Sequence, residues 1–269
     1  MIKLKKSLGQ NFLIDKNIIR KIVGQVSINK KNVLEIGPGS GNLTQEIINY
    51  NVNNLLLVEK DNNLSDILDT KFKNLNKFKV INKDILKTDI EKLILNDTVI
   101  YGNLPYNIST QILIKLIKFE KWLPKYKTLV LMFQKEVGER IIAKHNTQKF
   151  GRLTIMANYR LKVINHFNVS KNCFFPKPKV DSIVIVFKPI KNNFNIKNIN
   201  NLEKITQMFF SNRRKMVNKV FIKLFNNYKQ YLKKININLT HRPSQLKSED
   251  FYKITECFES SLDELNKEI

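Results

Sequence analysis

The chain has 269 residues, 42% of them hydrophobic, which is enough to bury a full core and argues against a disordered protein. The formal net charge of +24 attracts polyanions, with nucleic acid the first candidate and an anionic membrane surface the second, although AT-biased coding also enriches Lys and Asn. The two cysteines, Cys173 and Cys257, lack zinc-site spacing, and no apolar run approaches the length of a membrane span. We therefore expect a cytoplasmic protein without a bound metal.

Strand-like and helix-like runs alternate along the first half of the chain. Ile and Val lie at helical spacing within residues 11–26, which predicts a helix that Asp15 can cap. Strands are predicted within the runs 32–37, 54–61, 78–86, 97–106 and 126–134, some of which continue into the loop after the strand. The helices between and after them are predicted at 42–50, 63–72, 109–119 and 135–144, with Ser109 a possible N-cap. This alternation is typical of a doubly wound, mostly parallel α/β sheet.

The second half of the chain changes character. Residues 161–169 and 179–190 are predicted closing strands that can run antiparallel to the others, and the Asn-rich segment 189–200 is predicted to be a linker. Helical periodicity returns at 202–225 and 244–260. We therefore expect a catalytic domain over residues 1–190 and a small all-helical domain over residues 191–269.

Three features indicate a nucleoside site. Gly37, Gly39 and Gly41 in "LEIGPGSGNLT" follow a strand and open a helix, which permits a tight turn and close approach of a ligand. Glu59 ends the next predicted strand, where a carboxylate can bind ribose hydroxyls, and Asp84 follows the third, where it can accept a hydrogen bond from an adenine amine. Each feature also has a structural explanation: a packing turn, a solvated acid and a helix cap, respectively.

The stretch "YGNLPYNIST" follows a fourth predicted strand and so faces the same edge of the sheet. The side-chain oxygen of Asn103 and the carbonyl of Leu104 can accept hydrogen bonds from an exocyclic amine, and Tyr106 can stack on the ring. Two acceptors on the amine hydrogens favour a pyramidal nitrogen and free its lone pair for attack. The alternative is a loop in which Asn and Pro only make a turn.

These motifs, taken in order, resemble the S-adenosylmethionine-dependent methyltransferases that dimethylate adenosine N6 in ribosomal RNA. The resemblance extends along nearly the whole chain through "LGQNFLID", "EIGPGSG", "VEKD", "KDIL", "NLPYNIST", "FQKEVGERI", "FGRLTIMANY", "CFFPKPKVDSIV" and "FFSNRRKMVNK". "NLPYNIS", "FQKEV" and "SNRRK" are similar to the branch that modifies two adjacent adenosines in a small-subunit rRNA hairpin loop during ribosome maturation. The other branch modifies a large-subunit adenosine and confers macrolide-type resistance.

The resemblance implies a class I methyltransferase sheet, of the Rossmann-like kind, with S-adenosylmethionine as the methyl donor. It implies that Asn11 and Leu13 close over the cofactor, and that Gly37, Glu59, Asp84 and Asn103 bind it. It also implies that Asn103 orients the target amine, that Leu104 and Pro105 shape the loop, and that Tyr106 stacks on the target base. Phe174 is expected to pack on the face of the target base opposite to Tyr106, with Phe175 the alternative.

The same resemblance implies that the partner is small-subunit rRNA in an immature small ribosomal subunit. We expect the protein to act as a monomer and not to bind a membrane. Candidate phosphate contacts are basic residues: Lys3, Lys5, Lys6, Arg152, Lys177, Lys179, Arg213, Arg214 and Lys215. Three alternatives stay open: a large-subunit rRNA methyltransferase, a non-enzymatic assembly or transcription factor, and a DNA adenine methyltransferase.

Overall fold

Strands and helices alternate along the first half of the computed structural model, which describes residues 10–265, with side chains described to residue 263. The strands are β1 Phe12–Leu13, β2 Asn32–Ile36, β3 Asn54–Glu59, β4 Phe78–Asn82, β5 Thr98–Asn103, β6 Tyr126–Gln134, β7 Leu161–Val169, β8 Phe174–Phe175 and β9 Ser182–Pro189. The helices are α1 Lys16–Val23, α2 Asn42–Ile47, α3 Asn62–Phe72, α4 Ile90–Leu93, α5 Ser109–Ile117, α6 Lys135–Ile141, α7 Arg152–Arg160, α8 Ile199–Phe210, α9 Asn218–Leu224, α10 Tyr228–Ile235 and α11 Ser248–Leu265.

Seven strands form one sheet in the order β4-β3-β2-β5-β6-β9-β7. Strands β4 to β6 pair in parallel, as predicted from the strand–helix alternation, and β9 runs antiparallel to β6. The inner strands are apolar along most of their length because helices cover both faces of such a sheet. Val33, Leu57, Val99 and Val130 belong to the buried core that results.

The first helix is shorter than the run of residues with helical spacing. It covers Lys16–Val23, and the Asp15 side chain caps it by accepting hydrogen bonds from the amides of Asn17 and Ile18, at 2.9 and 3.0 Å. The predicted cap is therefore confirmed, and residues 11–14 and 24–26 of the run with helical spacing lie outside the helix. Phe12 and Leu13 instead pair as β1 with Phe175 and Phe174 of β8. This long-range pairing is invisible to a pattern that looks only at neighbours.

The predicted N-cap at Ser109 is wrong. Helix α5 has Ile108 at its N-cap position, without a side-chain hydrogen bond. The Ser109 hydroxyl instead donates to the Tyr106 carbonyl at 3.2 Å, which ties the start of the helix back to the preceding loop.

Contacts divide the chain into two units, one of residues to Gly138 with Lys162–Pro189, and one of Glu139–Leu161 with the residues from Ile190. The second unit starts its C-terminal segment close to the predicted boundary at residue 190. It also contains Glu139–Leu161, which the sequence analysis assigned to the catalytic domain. That segment includes α7, a helix that the sequence analysis did not identify.

Aromatic side chains hold the second unit together. Phe209 and Phe251 pack edge to face at 5.6 Å between ring centroids, and the Tyr252 hydroxyl donates to the Ile155 carbonyl at 3.1 Å. Phe150 packs on Phe210 at 6.4 Å. These contacts join α7 to α8 and α11, which explains why Glu139–Leu161 belongs with the C-terminal helices. No helix within residues 10–265 has the length and apolar composition that a membrane crossing requires.

Candidate active site

A cavity of about 170 Å³ lies in the first unit at the carboxyl ends of β2, β3 and β5. Open parallel sheets bind their ligands at this edge. Nine of the residues predicted to form the site line it: Asn11, Leu13, Gly37, Glu59, Asp84, Asn103, Leu104, Pro105 and Tyr106. The topology of the sheet therefore brings together residues that are as far apart in sequence as Asn11 and Tyr106.

The glycine-rich turn after β2 forms one wall of this cavity. Gly37, Gly39 and Gly41 have φ values of 65°, 58° and 76°. These values lie in the left-handed region, where a residue with a side chain would be strained. A Cβ on Gly39 would also lie 2.8 Å from the Phe12 ring, and one on Gly41 would lie 2.7 Å from Leu68 Cδ2. The glycines therefore allow both the shape of the turn and the close packing around it.

Glu59 ends β3 and is only 6% exposed. One carboxylate oxygen accepts a hydrogen bond from the Gly39 amide at 3.0 Å, and the other accepts from the Asp61 amide at 2.9 Å. Burial raises the pKa of Glu59, while hydrogen bonds from the backbone amides of Asp61, Gly39 and Lys60 lower it. These amides fix the carboxylate beside the glycine turn and leave lone pairs free to accept from a pair of hydroxyls.

Asp84 follows β4 and has one oxygen in a turn and the other in an ion pair. Its Oδ1 accepts from the Leu86 amide at 2.9 Å, and its Oδ2 lies 2.9 Å from Lys60 Nζ. The hydrogen bond from Lys60 is the main reason that the pKa of Asp84 is lowered, and the Leu86 amide adds to it. Asp84 therefore accepts a hydrogen bond within a local turn and does not cap a helix, since the N-cap of α4 is Asp89. It is also an ionised acceptor in the cavity wall.

Glu35 lines the same cavity, although the sequence analysis did not single it out. It lies in β2 two residues before the glycine turn, is 2% exposed, and accepts a 2.6 Å hydrogen bond from the Thr44 hydroxyl. Burial is the main cause that raises the pKa of Glu35 to about 8, and the charge of Glu59 also raises it. An acid inside an otherwise apolar strand was the sequence signal for this residue.

The loop after β5 presents its acceptors to the cavity. The Asn103 side-chain nitrogen donates to the Asn11 carbonyl at 3.2 Å, which leaves Oδ1 as the free end of the amide. Among the described residues, none donates a hydrogen bond to Asn103 Oδ1 or to the Leu104 carbonyl. The Ile108 amide donates to the Pro105 carbonyl at 3.1 Å, so the loop also makes the turn that Asn and Pro favour.

The segment before α1 is held against the cavity by side chains from three other elements. The Asn42 side chain donates to the Leu13 carbonyl at 2.8 Å, and Gln10 donates to Asp61 at 3.2 Å. Together with the bond from Asn103 to Asn11, these contacts place residues 10–13 along the cavity wall. This position agrees with the predicted role of Asn11 and Leu13 in closing over a cofactor, which stays a prediction.

Phe174 and Phe175 differ sharply in exposure. Phe174 is 3% exposed and belongs to the buried core with Leu13, whereas Phe175 is 63% exposed. Neither is among the residues that line the cavity. Phe175 and Phe174 pair across the β1–β8 ladder with Phe12 and Leu13, which do line the cavity. Both phenylalanines are therefore direct neighbours of residues in the cavity wall. Which of the two stacks on a target base stays a prediction.

The second unit contains a basic hollow of about 200 Å³. Arg140, Lys149, Arg152 and Arg213 contribute to its lining, and the Arg213 guanidinium donates to the carbonyl oxygens of Thr147 and Gln148. Lys149 pairs with Glu139. Arg152 and Arg213 were predicted phosphate contacts, and the fold brings these two together. The predicted basic arm of Lys3, Lys5 and Lys6 lies outside the described residues.

A family model described as ribosomal RNA adenine dimethylase matches residues 1–260. The chain is 45% identical to the ribosomal RNA small subunit methyltransferase A of Pelagibacter ubique, over 96% of this chain and 98% of the relative. It is 38% identical to the protein of the same name from Malacoplasma penetrans, over 94% of this chain and 91% of the relative.

Two solved structures resemble the fold. A dimethyladenosine transferase from Plasmodium falciparum superposes with a TM-score of 0.76 at 28% identity, covering 93% of this chain and 98% of the other. The 23S rRNA methyltransferase ErmE superposes with a TM-score of 0.66 at 20% identity, covering 92% and 99%. At that identity the second match carries information about the fold alone.

Proposed function

Because this chain belongs to the ribosomal RNA adenine dimethylase family, we propose that it uses S-adenosylmethionine to dimethylate N6 of two adjacent adenosines. These adenosines lie in a hairpin loop near the 3′ end of small-subunit, 16S-type rRNA. The observation that carries the proposal is the cavity in which Glu59 and Asp84 lie beside the acceptor loop of Asn103 and Tyr106. The similarity to relatives named small subunit methyltransferase A supports the choice of RNA.

The residues in this cavity fit S-adenosylmethionine. Glu59 has lone pairs for the ribose hydroxyls, Asp84 is an ionised acceptor for the adenine amine, and the turn at Gly37 leaves backbone accessible to the methionine part. When bound, this cofactor supplies an electrophilic methyl group on a sulfonium ion. Asn11 and Leu13 lie where they can cover it.

The chain accelerates transfer by positioning and by hydrogen bonding. Asn103 Oδ1 and the Leu104 carbonyl accept hydrogen bonds from the target amine, which frees the nitrogen lone pair, and Tyr106 stacks on the base. Holding both reactants together supplies much of the rate enhancement. No general base is needed, because the proton can leave to water after the methyl group has been transferred.

RNA binding rests on positive charge. Arg152, Arg213, Arg214 and Lys215 in the second unit, and Lys177 and Lys179 in the first, are proposed to contact backbone phosphates, which position the RNA without reading its sequence. The target base must be unstacked to reach the cavity, which suits a hairpin loop. We propose that the substrate is the immature small subunit, and that the chain acts in the cytoplasm as a monomer without membrane attachment.

Three other functions make different predictions. A large-subunit rRNA methyltransferase shares the fold and would modify a large-subunit adenosine. An assembly factor would bind small subunits without transferring methyl groups, and a DNA adenine methyltransferase would accept DNA. The acceptor geometry at Asn103 and the carboxylates of Glu59 and Asp84 favour an active enzyme over an assembly factor.

The proposal is tested by methyl transfer from labelled S-adenosylmethionine to small subunits that lack the two N6-dimethyladenosines. Large-subunit rRNA and DNA run in parallel. We expect label in small-subunit rRNA, lost in Asn103→Ala and retained in Asn74→Ala, which makes the same change at an exposed position after α3. Label only in large-subunit rRNA or in DNA would overturn the proposed substrate. Tight subunit binding without label would overturn the proposed activity.

The two phenylalanines are separated by a matched pair of variants. Phe174→Leu keeps an apolar side chain in the core, and Phe175→Leu makes the same change at an exposed site. The variant of the residue that stacks on the base is expected to lower the rate of transfer about tenfold or more, since base–aromatic stacking contributes about 1–3 kcal/mol. Equal transfer rates for both variants and the wild type would mean that neither phenylalanine stacks on the target base.

A further inference from the structure

A hydroxyl–hydroxyl contact connects the acceptor loop to the antiparallel strand of the sheet. The Tyr106 hydroxyl lies 2.7 Å from Ser182 Oγ, and the two residues are 76 positions apart in the chain. Ser182 is 0% exposed and opens β9, whereas Tyr106 lines the cavity and keeps part of its surface exposed. No role for Ser182 was predicted from the sequence.

Ser182 is held rigidly on its own side of the contact. It pairs with Gln134 of β6, and the residue before it is fixed twice. The Asp181 carbonyl accepts from the Lys135 amide at 2.9 Å, and the Asp181 carboxylate accepts from the Lys171 amide at 2.9 Å. Strand pairing and the hydrogen bonds to Asp181 therefore fix the backbone that carries the buried Ser182 hydroxyl.

Tyr106 is anchored at both ends of the residue. Its carbonyl accepts from the Ser109 hydroxyl at 3.2 Å, and its phenol oxygen meets Ser182. Because the phenol oxygen lies on the long axis of the ring, the contact with Ser182 fixes where the ring points, and packing sets its plane. Burial raises the pKa of Tyr106, with the charge of Asp181 acting in the same direction, so the phenol stays protonated and able to hydrogen-bond at neutral pH.

We infer that Ser182 is a positioning residue for methyl transfer, which holds the Tyr106 ring at the place where the target adenine stacks. The inference rests on the proposed function for the role of Tyr106. A ring used only for packing would not need the hydroxyl, since phenylalanine would fill the same volume. A ring that must hold a base against the cofactor benefits from a fixed direction, because small misplacements of reacting groups cost large factors in rate.

The test compares Ser182→Ala, Tyr106→Phe and the double variant, with Ser65→Ala as the matched control. Ser65 is also buried, at 6% exposure, but lies on α3 and does not line the cavity. We expect each single variant to lower kcat on small subunits by roughly tenfold while the Kd for S-adenosylmethionine stays unchanged. The double variant is expected to be no slower than either single variant, because both remove the same contact.

A fluorine spectrum provides a readout that does not depend on activity. The protein contains eight tyrosines, and 3-fluorotyrosine labelling gives each a resonance. The Tyr106 resonance is identified by its absence from Tyr106→Phe. We expect it to shift and broaden in Ser182→Ala while the other resonances stay in place.

The outcomes separate the inference from the proposed function. An unchanged kcat, additive losses in the double variant, or an unchanged Tyr106 resonance in Ser182→Ala would overturn the inference. A loss of folding or of cofactor binding in Ser182→Ala would also overturn it, since the residue would then be structural. A wild-type protein that transfers no methyl group would refute the proposed function, and the spectrum would still decide whether Ser182 holds the Tyr106 ring.

Discussion

Glu35→Gln is expected to make the ligand-free protein more stable at high pH than the wild type. The buried Glu35 carboxyl has its pKa raised to about 8, mainly by burial, whereas the unfolded chain ionises near the ordinary value of 4.5. Between these two values the folded state holds a proton that the unfolded state has lost, so the wild-type free energy of unfolding falls as pH rises. Glutamine resembles the protonated acid, can still accept from the Thr44 hydroxyl, and does not titrate.

The size of the effect follows from the linkage between protons and folding. The difference in free energy of unfolding between Glu35→Gln and the wild type is expected to grow by roughly 1 kcal/mol per pH unit, reaching a few kcal/mol near pH 8. Urea denaturation at pH values from about 5 to about 8 measures it. Trp122, the only tryptophan, lies in the first unit with Glu35 and reports on the unfolding of that unit.

Glu46→Gln is the matched control, because it makes the same chemical change at a more exposed position on α2. The control is expected to leave the pH dependence of stability as it is in the wild type. A difference between Glu35→Gln and the wild type that stays constant over the whole pH range would refute the reasoning. A difference that falls with rising pH would refute its sign.

Three further changes test other parts of the site. Gly41→Ala is expected to cost about 1–3 kcal/mol of stability in urea denaturation, because it combines a positive φ with a methyl group 2.7 Å from Leu68 Cδ2; an unchanged midpoint would contradict this. Asp84→Asn is expected to weaken S-adenosylmethionine binding by about tenfold or more in calorimetry, since a charged acceptor is lost, and a change below about twofold would remove Asp84 from the adenine site. Arg152→Ala is expected to lower the slope of log affinity for small-subunit RNA against log salt by about one, and an unchanged slope would mean that Arg152 contacts no phosphate.

Much of the fold was predictable because its signals are local. Strand–helix alternation predicted the parallel sheet, and the carboxyl ends of its strands had to meet at one edge. Gly37, Glu59, Asp84 and Asn103 were therefore expected to lie together, and they line one cavity. The Asp15 cap was predictable for the same reason, since both its partners lie within three residues.

The features that sequence reasoning missed depend on contacts between distant residues. The contact between Tyr106 and Ser182 has no local sequence signal, because neither the residue types nor their separation of 76 positions indicates it. The grouping of Glu139–Leu161 with the C-terminal helices depends on aromatic packing such as that of Phe150 on Phe210. Likewise, Phe174 is buried in β8, whose pairing with β1 the sequence pattern did not predict.

The most direct test of the central claim is to map the methyl groups on the RNA. Small subunits that lack the modification are incubated with the protein and S-adenosylmethionine to completion, and the 3′-terminal fragment of their rRNA is examined by mass spectrometry. We expect two adjacent N6,N6-dimethyladenosines in the hairpin loop after incubation with the wild-type protein. With Asn103→Ala we expect these adenosines to stay unmethylated. A single modified adenosine elsewhere, or a fragment that gains no methyl group from the wild-type protein, would contradict this expectation.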